Sequence, residues 1–78
     1  MNNIKKYKKI FIETFNAKEN EVCQLTYQST PEWDSVGHMN LITALEENFD
    51  LMFETDDIVD FNSYEKGIEI LRKNGIEI

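Results

Sequence analysis

The chain is predicted to be all-α, a small four-helix bundle with three longer helices and one short third helix. Three observations carry that expectation. Apolar residues recur at steps of three and four, helix-capping residues precede the periodic segments, and the only strand-like run, Ile76-Glu77-Ile78, is too short to build a sheet.

Residues 3 to 16 read as the first helix, with Asn3 as N-cap and Ile4, Tyr7, Phe11 and Phe15 on one stripe that Ile10 and Ile12 widen. Lys5, Lys6, Lys8 and Lys9 sit badly against the positive end of its dipole, so tertiary packing is expected to hold it. Residues 17 to 34, with the single proline Pro31, read as a long loop pinned by Val22, Leu25, Tyr27 and Trp33. The second helix runs from Ser35 to about Phe49. Thr55 is expected to cap a short third helix through Asp60 or Phe61, where Asp56 and Asp57 suit its dipole. Ser63 caps the last helix, which carries Tyr64, Ile68 and Leu71 and ends at a left-handed cap near Asn74-Gly75. The expected core is Tyr7, Phe11, Phe15, Leu41, Leu45, Phe49, Ile58, Phe61, Ile68 and Leu71.

Seventy-eight residues make one domain, spanning 1–78, with 41% hydrophobic residues and nine aromatics to fill one small core. A domain this size buries only about 60% of the surface its unfolded chain exposes, which leaves no room for a deep substrate pocket. The fifteen acids and eight bases give a net charge of −7. Residues 19 to 65 hold twelve of the acids and no Lys or Arg, a surface that repels nucleic acid and anionic lipid and attracts basic proteins. Cys23 is the only cysteine and is expected to be a half-buried structural thiol. With no apolar run of secretory or membrane-spanning length, a cytoplasmic monomer is the expectation.

On the second helix, at about 100° per residue, His38, Leu41, Ile42, Leu45 and Phe49 share the core arc. Val36, Met39, Asn40, Thr43, Glu46 and Glu47 share the other side, where apolar contact stands beside charge. At the start of this helix either Ser35 or Asp34 could cap it, or Ser35 could act as a nucleophile or carry an attached group. His38 is within helical reach of the serine but points to the core, and no glycine-rich elbow accompanies the serine, which argues against catalysis. Asp50 to Asp60 lacks the residue order of a calcium loop, so no metal site is expected.

Asp34-Ser35-Val36, a helix ending Ala44-Leu45-Glu46-Glu47-Asn48-Phe49, and the acidic Thr55-Asp56-Asp57-Ile58 turn together resemble the acyl carrier proteins and the related peptidyl carrier domains. The resemblance spans essentially the whole chain and implies a carrier that is not itself an enzyme. Ser35 would bear a covalent 4'-phosphopantetheine arm, donated from coenzyme A by a phosphopantetheinyl transferase with magnesium, and Asp34 would aid recognition by that transferase. The arm holds an acyl or aminoacyl group as a thioester. Val36, Met39, Glu46 and Glu47 match positions that meet basic patches on a loading ligase and acyl-transferring enzymes; Asn40, Thr43 and Asp57 complete the expected partner surface. Fatty-acid-synthesis carriers usually have Leu after the serine and an acid where Asn40 stands. Pro31-Glu32-Trp33-Asp34 and Gly37-His38-Met39 look more like stand-alone carriers of specialised pathways. The alternative is a small acidic helical interaction module in which Ser35 only caps the helix.

Overall fold

Four helices joined by one long loop build the structure, a computed structural model that describes residues 3–78. They are α1 (Asn3–Phe15), α2 (Ser35–Phe49), α3 (Thr55–Asp60) and α4 (Tyr64–Lys73). The all-α expectation holds, and so do the element order and the shortness of α3. Among the described residues no helix is long and apolar enough to cross a membrane.

The stripe on α1 buries Tyr7, Ile10, Phe11 and Phe15, while α2 buries Leu41, Ile42 and Leu45, and the two helices pack together. Aromatic rings fill the centre. Phe11 meets Tyr7 at 4.8 Å, Tyr64 at 5.0 Å and Trp33 at 5.6 Å between centroids, mostly tilted or edge-on, the arrangements that ring quadrupoles favour. The Tyr7 hydroxyl, fully buried, donates to the Tyr64 carbonyl at 2.7 Å, so its polar end has a partner inside the core. Gly67 makes room for this cluster: a Cβ there would lie 2.1 Å from Tyr7 Oη and 2.2 Å from Phe61 Cζ.

The long loop is tied down by its own side chains and backbone. Val22 and Trp33 are fully buried, and Val22–Gln24 forms a 3₁₀ turn inside the span expected to be irregular. Tyr27 N–H donates to Asn62 O at 2.8 Å and Tyr64 N–H to Leu25 O at 2.9 Å, an antiparallel bridge that fixes the loop to the α3–α4 connection. These bonds give the segment backbone partners without a sheet.

Several local expectations are corrected. Asn3 lies within α1 instead of capping it, and its side-chain amide donates to Glu77 O at 2.7 Å, tying the two ends of the chain together. At α3 the cap position is Glu54, without a side-chain cap bond, and Thr55 is the first helical residue. Phe49, Ile58 and Ile68 are half-buried packing partners at the edge of the core, while Phe53, Tyr64 and Ile70 join its buried centre. Cys23 is exposed, on the outer side of the 3₁₀ turn. The expected ends of α2 and α4 stand. Asp50 closes α2 at φ 52° with its N–H on Glu46 O, and Gly75 follows α4 at φ 88°.

Candidate functional site

The site begins at the junction of the long loop and α2. Asp34 occupies the N-cap position with extended backbone, and its Oδ1 accepts from Gly37 N–H at 2.8 Å. The capping role therefore belongs to Asp34, and the Ser35 hydroxyl makes no hydrogen bond among the described residues. Ser35 is exposed on the first turn of a fifteen-residue helix, where unpaired backbone N–H groups and the helix dipole favour negative charge.

Gly37 lets the preceding loop lie directly on that turn. A Cβ at this position would stand 1.9 Å from the Glu32 carbonyl oxygen, closer than real Cβ atoms come. Trp33 then turns inward and its Nε1–H donates to His38 Nδ1 at 3.0 Å. Because indole nitrogen can only donate, Nδ1 must accept, which leaves the imidazole proton on Nε2 to donate to Ile58 O at 2.8 Å. Both ring nitrogens are thereby engaged in joining the loop, α2 and α3. His38 is the packing residue the helical arc indicates, with neither nitrogen free to take a proton from Ser35.

A groove of about 310 Å³ opens beside Ser35, between α2 and α3. Its walls are Met39 and His38 from α2, Ile58 and Val59 from α3, and Tyr27, Phe61 and Asn62 from the connecting segments. Of the groove residues, Met39 is 48% and Val59 74% exposed, and Val36, the neighbour of Ser35 in sequence, is 68% exposed. Asn40, Thr43 and Glu47 are exposed along α2 as expected.

Two expected surface acids are drawn into the fold instead. Glu46 is half-buried, and its Oε2 accepts from Phe53 N–H at 2.9 Å, holding the α2–α3 loop. Asp57 is only 2% exposed; it pairs with Lys73 and accepts from Asn74 Nδ2 at 3.3 Å. The Lys73 ammonium donating to it holds its carboxyl below the usual carboxylate range. Asp57 is thus a clamp between α3 and the end of α4 and presents no carboxylate to a partner. Its partners lie sixteen and seventeen residues away, so no local pattern announces them.

Tyr27, Val59 and Asn62 join the site only through the loop fold and the orientation of α3, which no local sequence pattern encodes. Val59, an apolar residue amid the acids of α3, is the one signal that could have pointed to them. Among the described residues no group of three His, Cys, Asp or Glu side chains is arranged to hold a metal ion. No protein-family model matches the chain, and no curated protein matches it. Fold and site together define a small helical bundle with a free serine hydroxyl at a helix start, beside an apolar groove with acids on the neighbouring helix face.

Proposed function

We propose that the protein is a cytoplasmic carrier that holds acyl or aminoacyl groups as thioesters on a 4'-phosphopantetheine arm attached to Ser35, as the resemblance to stand-alone acyl carrier proteins implies. The observation that carries this reading is that Asp34, not Ser35, caps α2. A serine relieved of capping, exposed at a helix start, fits a phosphodiester: the dipole and free amides of the first turn favour its charge. Attachment would form an O–P bond at Ser35 as the pyrophosphate of coenzyme A breaks, releasing adenosine 3',5'-bisphosphate and the hydroxyl proton, and would leave the backbone bonds of the turn intact.

When attached, the arm supplies a thiol that forms and exchanges the thioester. The chain's own residues hold the attachment point still and offer a surface to each enzyme in turn. Asp34 and the Glu32-over-Gly37 contact fix the turn, while His38 and Trp33 lock it to α3. Val36 and Met39 give a partner apolar contact, and Glu47 with the exposed acids of α3 steers a basic patch toward it. The Met39–Val59 groove offers the arm or its cargo shelter from water.

Incubation with a broad-specificity phosphopantetheinyl transferase, magnesium and coenzyme A tests this reading by intact mass. Wild type gains one arm and the Ser35→Ala variant gains none. An interaction module would gain no mass in either form.

A further inference from the structure

The side of the bundle away from Ser35 carries charge of the opposite sign. Four of the eight basic residues of this acidic chain, Lys5, Lys6, Lys8 and Lys9, fall within two turns of α1. That placement opposes folding. The first turn of α1 holds no acid, the lysines face the positive end of the dipole, and the pairs 5/8, 5/9 and 6/9 set like charges at helical-neighbour spacing.

The structure does little to offset the cost. Lys6 lies over the Phe49 ring at 4.9 Å, and Lys8 reaches the exposed Glu19 only at 3.9 Å. Lys5 and Lys9 have no ion-pair partner among the described residues. Residues that break a local folding rule without compensation inside the fold mark places where function sets the sequence.

A groove of about 520 Å³ runs between α1 and α2 at this patch. Lys5, Lys6 and Lys9 edge it, and Ile10 and Ala44 give it an apolar floor. Asn48 lines the far wall, with its amide already donating to Ala44 O at 2.7 Å, and among the described residues Glu13 is the only acid on the groove. Ala44 is nine residues from Ser35, about 180° around α2, so the groove and the Ser35 turn are on opposite sides of one helix.

We propose that this groove is a docking site for an acidic amphipathic segment of a partner protein, with carboxylates on Lys5 and Lys9 and apolar side chains on Ile10 and Ala44. Charge complementarity selects that occupant. The acids of residues 19 to 65 repel it from the α2–α3 surface, so the field of the molecule directs it to α1. A partner held there leaves the Ser35 turn open to a second protein. The docking site stands independently of whether Ser35 bears an arm.

The test titrates the 15N-labelled full chain with a short amphipathic helix of Leu and Glu, with its Gln counterpart and poly-Glu of equal length as controls. The amphipathic Glu peptide is expected to move the amides of residues 5 to 14, 44 and 48 saturably, and more weakly as salt rises. Lys5→Gln with Lys9→Gln, surface changes that leave the core untouched, should weaken binding by about tenfold. Ala44→Glu should weaken it too, with the lysines intact, while Ser35→Ala binds as wild type.

Four results overturn the proposal. Poly-Glu binding as tightly as the amphipathic peptide would reduce the patch to diffuse charge. Shifts confined to α2 and α3, or unchanged affinity in the double lysine variant, would remove the groove. Phosphatidylglycerol vesicles broadening the α1 signals while the peptide leaves them unmoved would make the occupant a membrane.

Discussion

Gly37→Ala separates stability from presentation of Ser35. The added Cβ would stand 1.9 Å from the Glu32 carbonyl oxygen, where at least 3.0 Å is needed, so loop and helix must part by about 1 Å. The obstacle is backbone, which cannot rotate aside as a side chain would. Alanine raises helix propensity by up to about 1 kcal/mol, and the overpacking costs about 1–3 kcal/mol, for a net loss near 1 kcal/mol. In a domain of this size that lowers Tm by roughly 4–8 °C. A displacement of about 1 Å at a reacting group can cost up to about 100-fold in rate, so transfer of the arm to Ser35 should slow by roughly 10- to 100-fold. The assay follows arm transfer by mass at saturating transferase substrate, well below the melting range. Gly75→Ala is the matched control. Its φ of 88° makes alanine unfavourable, yet no atom of the described residues lies within 4 Å of the new Cβ, and Gly75 sits by the C-terminal end of α2, the far end from Ser35. Gly75→Ala should lose similar stability and keep the wild-type rate. A wild-type rate in Gly37→Ala would refute the idea that the Glu32 contact positions Ser35.

Stability should respond to acid through Asp57. Its folded pKa lies below the unfolded value, so its contribution is complete above the ordinary carboxylate range near about pH 4 and is lost as pH falls through the folded pKa. Asp57→Asn should therefore be less stable than wild type at neutral pH and the gap should narrow in acid; a constant gap across that range would contradict the clamp. Tyr7, whose hydroxyl burial holds protonated far above the ordinary tyrosine range, shares the alkaline limb with Tyr64. Its contribution is intact below about pH 10 and falls as the unfolded chain ionises above that pH, so Tyr7→Phe should flatten alkaline unfolding; an unchanged slope would count against it.

The features legible in the sequence were those set by residues close together along the chain. Helix α2 announces itself through its period and through Asp34 and Ser35 at its start, and its core arc of Leu41, Ile42 and Leu45 follows from 100° per residue. The same arithmetic placed Val36 and Met39 in solvent. It could not choose which of Asp34 and Ser35 caps the helix, because both suit the position and the backbone decides. Asp57 misled for a related reason. A dipole-favoured acid on α3 looks like surface until α4 brings Lys73 and Asn74 across it. Glu46 likewise reads as exposed until the α2–α3 loop returns Phe53 N–H to its carboxylate. The Trp33–His38–Ile58 connection and the groove walls depend on that same tertiary closure.

The most direct test of a carrier role is site-resolved. After treatment with transferase, magnesium and coenzyme A, the protein is digested and its three serine-bearing regions, at Ser29, Ser35 and Ser63, are sequenced by fragmentation mass spectrometry. A carrier shows one phosphopantetheine arm, on Ser35 alone, and none in Ser35→Ala. An unmodified Ser35, with a known carrier fully modified in the same reaction, would contradict the account.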